Sequence, residues 1–165
     1  MLTHGHLDHC GWLPRLVSQG FKGKIYCSSP TKDIAKLILL DSAKIQEEET
    51  RKANERKYSK HEVAEPLYTI IEAQQVFPLF RVIKTNESFF LDAEIEARFS
   101  NAGHILGACS VELKIEDKTL VFSGDIGRDN DVLMYSPTKP TINEQWKNYP
   151  MQERLLIWEV VDGNC

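Results

Sequence analysis

The sequence has no long hydrophobic run. Its apolar stretches, such as residues 37–40, fall far short of the roughly 20 residues that a membrane-spanning helix needs. The N-terminus also lacks the charged and then apolar pattern of a secretory signal. These absences argue against a membrane or secreted protein, and we expect a cytoplasmic location.

Cysteine is scarce, and its spacing indicates neither a disulfide framework nor a cysteine zinc site. The chain contains Cys10, Cys27, Cys109 and Cys165, scattered without any paired spacing. We interpret them as small buried apolar residues of a protein from a reducing compartment.

An excess of positive charge is missing as well. The chain has 20 Lys and Arg against 24 Asp and Glu, a net charge of −4, which argues against binding nucleic acid by bulk electrostatics. A local basic excess between residues 51 and 60 is interrupted by Glu55. We favour a solvated helix face there over a basic channel, because mixed charge along a helix is ordinary.

The composition, 42% hydrophobic and 27% charged, is that of a globular protein, and 165 residues suffice for one domain with a real core. We therefore treat residues 1–165 as a single domain.

Helix signals dominate the first half of the chain. Residues 11–19 favour a short helix that ends at Gly20. A longer helix is expected to begin with Ser29 as its N-cap and to continue to about residue 49 or beyond. Its packed face is predicted from apolar residues at helical spacing: Ile34, Leu37, Ile38 and Ile45.

Between residues 50 and 66 the periodicity fades, so a loop, a solvated helix and a flexible insert or lid remain open. Residues 69–76 then predict another short helix.

The second half reads mainly as strands. A buried strand is expected at residues 24–27, before the long helix. The later strand-like segments are residues 81–83, 88–90, 94–99, 110–115, 119–122 and 155–158. Residues 116–118 read as the turn of a hairpin. This order predicts a layered α/β (α+β) fold in which helices cover a largely antiparallel sheet.

The densest chemistry lies at the start, in Thr3-His4-Gly5-His6-Leu7-Asp8-His9. Neutral imidazoles and a carboxylate are the donors that zinc and similar metals prefer. In an extended segment His4 and His6 point the same way and can share one metal, while Asp8 and His9 lie further on, where the chain must turn. A loop of this kind should follow a strand, yet only two residues precede it.

Further ligands of such a site should come from strand ends far along the chain. His104 lies between glycines in a segment that joins two predicted strands, and Asp125 follows the strand at residues 119–122. A carboxylate in that position is suited to bridge two cations.

In this order, the motif His-x-His-x-Asp-His, the His104 segment Ala-Gly-His-Ile-Leu-Gly and the Asp125 segment Phe-Ser-Gly-Asp-Ile-Gly resemble the metallo-β-lactamase superfamily, and within it the RNA-processing members of the β-CASP branch. The resemblance implies a partial metallo-β-lactamase fold, an αββα-type sandwich with a largely antiparallel sheet.

The resemblance also implies a pair of zinc ions. His4, His6 and His104 would hold one ion, Asp8 and His9 would hold the second, and Asp125 would bridge both. Two cations about 3.5–4 Å apart lower the pKa of a shared water molecule and neutralise the charge that develops during attack on a phosphodiester.

Residues 156–164 resemble a further family motif, a strand that ends in a glutamate. By that resemblance Glu159 would orient a general-acid histidine beyond residue 165, although Val160-Val161-Asp162 departs from the family's usual wording.

The family's opening strands, its first-motif aspartate, its β-CASP cap and a histidine that completes the second zinc site have no counterpart in these residues. We therefore expect a fragment with a β-CASP domain after residue 165, which alone is weak or inactive as a nuclease.

The resulting hypothesis is a zinc-dependent nuclease that cleaves single-stranded RNA, as an exonuclease or an endonuclease. A small-molecule ester or thioester hydrolase and a non-catalytic metal-binding subunit of an RNA-processing complex are the alternatives. A homodimer is left open.

Overall fold

The computed structural model describes residues 1–116 and 118–139, and residues 159–162 for their backbone alone. The helices in this part of the chain are α1 (Leu7–Cys10), α2 (Leu13–Ser18), α3 (Ser29–Arg56) and α4 (Ile70–Val76), and α4 continues into a short 3₁₀ turn at Phe77–Leu79. The strands are β1 (Ile25–Cys27), β2 (Phe80–Val82), β3 (Ser88–Phe90), β4 (Ile95–Asn101), β5 (Cys109–Ile115), β6 (Lys118–Phe122) and β7 (Glu159–Asp162).

The strands form two sheets of different character. β1 and β2 pair in parallel, whereas β3 to β7 form an antiparallel sheet in sequential order. The predicted hairpin between β5 and β6 is confirmed by the pairing of Ile115 with Lys118. The prediction of a mixed α/β fold with a largely antiparallel sheet is therefore correct.

Alternation along β1 shows how the layers stack. Ile25 and Cys27 belong to the core cluster formed with the helices, while Tyr26 packs with Phe99 of the antiparallel sheet. Because successive side chains of a strand point to opposite faces, the β1–β2 sheet must lie between the helices and the large sheet. This helix, sheet, sheet order agrees with the predicted sandwich.

The N-terminal residues connect the two sheets. The amide of Leu2 donates to Tyr26 O at 2.9 Å, and Thr3 O accepts from the amide of Cys109 at 2.9 Å. Leu2 is also 4% exposed. Leu2 and Thr3 are therefore bonded to both sheets, although no strand is assigned to them. The expected strand before the histidine motif stays a prediction.

Two details of α3 correct the sequence-based expectation. Its N-cap is Ser28 instead of Ser29. Its buried face contains a stripe of residues spaced by four, Thr31, Ala35, Leu39 and Ala43, and Ala53 is buried nearer its end. Leu37 and Ile45, which were predicted to pack, are 69% and 48% exposed. Small residues on the buried stripe let the helix lie close to its neighbours.

The region predicted as a possible insert begins as helix, because α3 continues through Arg56 and ends at Lys57 in a left-handed conformation (φ 54°). Arg51 pairs with Glu55 at 2.7 Å, as expected for a solvated helix face. The Asn54 side chain bonds both the amide and the carbonyl of Ala64, so the chain folds back on α3. Motion of this region as a lid stays a prediction.

The helix expected at residues 11–19 is confirmed as α2. The short helix α1 precedes it, so Asp8 and His9 lie on a helical turn. The helix predicted at residues 69–76 is confirmed as α4, with Thr69 and Glu72 forming a capping box. The predicted strand at residues 155–158 lies outside the described residues. Among the described helices, none is long and apolar enough to cross a membrane.

Candidate metal centre

Four separate segments bring the candidate ligands together. His4 and His6 lie on the extended N-terminal segment, and His9 follows on α1. His104 lies between β4 and β5, and Asp125 comes directly after β6. These positions fulfil the expectation that strand-end loops assemble the site.

Ligand atoms of His4, His6, His104 and Asp125 all lie within 4.8 Å of one another. Nδ1 of His6 is 3.1 Å from Nε2 of His4 and 3.3 Å from Nε2 of His104. Asp125 Oδ2 lies 3.3 Å from the same His104 nitrogen and 3.8 Å from that of His4. The three imidazoles and the carboxylate thus face one small volume.

The second carboxylate oxygen of Asp125 faces a different neighbour. Oδ1 is 3.3 Å from Nε2 of His9, which in turn lies 3.8 Å from Asp8 Oδ2. Asp8 is the most exposed member, with a side chain 78% exposed. Asp125 therefore stands between a buried group of three histidines and an exposed pair, Asp8 and His9.

The electrostatics favour a neutral central histidine. His4 is fully buried, and this desolvation, reinforced by the neighbouring His9, lowers its pKa to about 4 even though Asp125 acts in the opposite direction. Nδ1 of His4 lies 3.2 Å from Thr3 Oγ1. With Nδ1–H donating to that hydroxyl, Nε2 presents its lone pair to the cluster, the arrangement that metal-bound histidines adopt.

The three cysteines in the described part of the chain do not belong to the ligand cluster. Cys10, Cys27 and Cys109 are free and buried, as predicted. Burial raises the pKa of Cys10 and of Cys109 to about 11 and that of Cys27 to about 12. They are protonated at neutral pH, whereas a metal ligand must be a thiolate.

The N-terminal turn of α3 supports two of the ligand loops. The hydroxyls of Ser28 and Thr31 both donate to Gly107 O, at 2.7 and 2.8 Å, and so hold the loop that carries His104. A Cβ at Gly5 would lie 2.6 Å from Cγ2 of Ile34, so the backbone between His4 and His6 lies directly on the same helix.

The Asp125 loop is fitted equally closely. A Cβ on Gly124 would lie 2.8 Å from Cβ of Thr3, and one on Gly127 would overlap the carbonyl of Gly103. The amide of Gly127 donates to Ala102 O at 2.8 Å. Glycines on either side of Asp125 therefore let its loop contact both histidine segments.

The donor set fits a divalent cation of the zinc type. Imidazole nitrogens and carboxylate oxygens suit that class of metal, and His4 is already neutral. The site has both the chemistry and the convergence of ligand atoms that a metal requires.

Glu159 is described by its backbone alone, which lies in β7 and pairs with Val121 of β6. Its expected role at the site stays a prediction. Because Val121 is near the end of the strand that leads to Asp125, the Glu159 backbone lies toward the same edge of the sheet.

Sequence reasoning missed the supporting residues Ser28, Thr31 and Thr3. The Ser28–Thr31 spacing is an N-cap signature, but its second partner, Gly107, lies 76 positions after Thr31 and has no local signal.

Comparison with known proteins places these features in a family. A family model described as the metallo-beta-lactamase superfamily matches residues 1–152. Transcription termination factor FttA of Cenarchaeum symbiosum is 30% identical over 159 residues, which are 95% of this chain and 21% of that protein. Ribonuclease TTHA0252 of Thermus thermophilus is 31% identical over 134 residues, 81% of this chain and 27% of that protein.

Integrator complex subunit 11 of Danio rerio is 30% identical over 132 residues, 79% of this chain and 20% of that protein. The chain thus spans about a fifth to a quarter of the length of these relatives. A ribonuclease and a termination factor among them agree with the RNA-processing branch predicted from the motif wording.

Proposed function

This chain belongs to the metallo-beta-lactamase superfamily, and from that premise we propose that the protein is a zinc-dependent nuclease of the β-CASP type that cleaves phosphodiester bonds of single-stranded RNA. The observation that carries the proposal is the convergence of His4, His6, His104 and Asp125 within 4.8 Å. The names of the ribonuclease and the termination factor support RNA as the substrate.

The geometry supports the ligand assignment that the resemblance implies. His4, His6 and His104 would hold one zinc ion, Asp8 and His9 the second, and Asp125 would contribute one oxygen to each. Its two carboxylate oxygens face these two groups, at 3.3 Å from His104 Nε2 and 3.3 Å from His9 Nε2. Metal at this position would supply Lewis acidity and lower the pKa of a water molecule for attack on phosphorus.

The residues of the chain then have distinct tasks. Buried His4 and the α3-supported loop of His104 form a rigid side of the site. Exposed Asp8 and half-buried His9 form the side open to substrate. Glu159 would position a proton donor for the leaving oxygen, a role supported by the approach of its backbone toward the Asp125 edge.

We further propose that these residues are the metallo-β-lactamase part of a longer cytoplasmic protein whose β-CASP domain follows residue 165. The fraction of the relatives that the chain covers supports this. The relative named as an Integrator complex subunit supports membership in an assembly, and a homodimer is an alternative arrangement.

The test is cleavage of labelled single-stranded RNA by the full-length protein. Cleavage should stop with a chelator and return with zinc. His104→Ala and Asp125→Asn should each reduce the rate by more than about 100-fold, the scale of removing a charge-stabilising group. His61→Ala and Asp41→Asn change exposed residues outside the cluster and serve as matched controls.

Circular dichroism should show that the variants remain folded. Unchanged RNA cleavage by folded His104→Ala protein would refute the proposal. Parallel assays on thioester and lactone substrates identify a small-molecule hydrolase if only those are turned over. Zinc binding without turnover of either substrate class identifies a non-catalytic subunit.

A further inference from the structure

An exposed tryptophan follows the metal-binding motif. Trp12 precedes α2 and is three residues from His9, yet it is 68% exposed. Tryptophan is the side chain with the largest apolar area, and exposed aromatic residues beside a concave site are typical of binding surfaces. The position of Trp12 therefore suits contact with a ligand of the neighbouring site.

Trp12 and His9 line the same pocket, of about 220 Å³. Its remaining walls come from α2 and the residue after it: Leu13, Arg15, Leu16 and Gln19. This volume is below the roughly 300 Å³ at which sites for whole small molecules begin, and it suits one ring of a longer ligand. Because His9 is 3.3 Å from Asp125, the pocket lies next to the metal centre.

The chain segment that forms the pocket carries a local excess of positive charge, although the whole chain carries −4. Between Asp8 and Asp33 the sequence contains no acidic residue but four basic ones, Arg15, Lys22, Lys24 and Lys32, of which Lys32 pairs with Asp33. Such a local excess attracts a polyanion even when the net charge of the protein does not.

Arg15 is available to a ligand. Among the described residues it forms no ion pair within 4 Å. The carboxylate of Glu72 is close enough for Arg15 to contribute to lowering its pKa, but that carboxylate is held by the backbone and hydroxyl of Thr69. A guanidinium with free donors is the preferred partner of a phosphate.

We propose that this pocket is a nucleotide subsite, which binds one nucleotide of single-stranded RNA beside the scissile phosphodiester, with its base stacked on Trp12 and its phosphate paired with Arg15. The inference rests on the proposed function and adds the substrate contact nearest to the metals. Aromatic stacking accepts every base, so this contact confers preference for unpaired RNA and not for a particular sequence.

The experiment measures binding of fluorescein-labelled oligouridine to full-length protein by fluorescence anisotropy, in an Asp125→Asn background that blocks cleavage. Trp12→Ala should weaken binding at least about fivefold, as expected for the loss of one stacked base. Trp12→Phe should retain affinity within about threefold. Tyr58→Ala, at an aromatic residue that is 62% exposed just after the end of α3 and does not line the pocket, should leave the affinity unchanged.

Two further arms separate stacking from charge. The first uses an oligonucleotide that lacks the stacked base at one abasic position. The Asp125→Asn parent should bind it more weakly than the complete oligonucleotide. The parent and its Trp12→Ala variant should bind the abasic oligonucleotide with equal affinity. Arg15→Gln should reduce the slope of log affinity against log salt by about 0.7, the value for one phosphate contact on a single strand.

Equal affinity of the parent and Trp12→Ala would overturn the subsite, as would binding of duplex RNA as tight as that of single-stranded RNA. The proposed function would survive that outcome, because it depends on cleavage lost in His104→Ala. Normal RNA affinity of Trp12→Ala together with loss of a protein partner would reassign the pocket to protein docking and also overturn the subsite.

Discussion

Replacing Gly124 by alanine should disturb the metal centre through both the Asp125 segment and the His4 segment. Gly124 has φ +55°, a conformation that costs an L-residue roughly 1–2 kcal/mol. A Cβ there would also lie 2.8 Å from Cβ of Thr3, and such overpacking costs about 1–3 kcal/mol. The sum predicts a loss of about 2–5 kcal/mol in the free energy of unfolding.

The steric part should act on metal binding. Gly124 precedes Asp125, and Thr3 precedes His4, so separating the two backbones moves ligands of both segments. We expect zinc affinity to fall about 10- to 100-fold, the range seen when the support of a ligand is altered. Competition with a chromophoric chelator measures the affinity, and urea denaturation of metal-free protein measures stability.

Gly20→Ala is the matched control, since Gly20 has φ +104° but no atom within 4 Å of a built Cβ. Gly20→Ala should lower the free energy of unfolding by about 1–3 kcal/mol, from backbone strain alone, and leave zinc affinity unchanged. The reasoning fails if Gly124→Ala binds zinc like the wild type, or if both variants lose metal equally.

The remaining predictions concern the support of His104 and the protonation of His4. Thr31→Val removes the buried hydroxyl that donates to Gly107 O at 2.8 Å, and we expect a stability loss of about 0.5–1.5 kcal/mol in urea, with weaker zinc binding; unchanged values for both would contradict the role of this contact. Burial lowers the pKa of His4 from 6.5 to about 4, so the unfolded state binds the proton more tightly than the folded state does. The stability that is present above pH 6.5 is therefore lost as the pH falls toward 4. In metal-free protein this loss should reach about 3 kcal/mol, and His4→Gln should lack it; an identical pH dependence of the two proteins would refute the assignment.

Local sequence patterns predicted the structure correctly where neighbouring residues determine it. The helix predicted at residues 69–76 and the turn between β5 and β6 both appear as expected, and both depend on neighbouring residues: the helix begins with a capping box of Thr69 and Glu72. The histidine motif is also local, because an extended backbone places His4 and His6 on one side.

Predictions failed where the cause is tertiary. Apolar spacing suggested that Leu37 packs, but the buried face of α3 is the stripe of Ala35, Leu39 and Ala43, because the helix has to approach the neighbouring elements closely. β1 and β2 pair in parallel although α3 and α4 separate them in the sequence. The residues of neither strand indicate which strand it will pair with.

The candidate ligands could be found from the sequence, but the contacts that support their loops could not. Short motifs contain His104 and Asp125, whereas the contact of Gly124 with Thr3 and the bond from Thr31 to Gly107 cross large sequence separations. The role of Gly124 or Gly107 becomes clear only when the residue that it contacts is known.

The central claim is that segments distant in the sequence hold divalent metal between their imidazole and carboxylate groups. Measuring zinc content and affinity of purified full-length protein, in parallel with His104→Ala, Asp125→Asn and the control His61→Ala, tests it most directly. We predict two zinc ions per wild-type and per control chain, and fewer ions or much weaker binding in the other two variants. A wild-type protein that binds no zinc, or variants that bind as many ions as tightly as the wild type, would contradict the account.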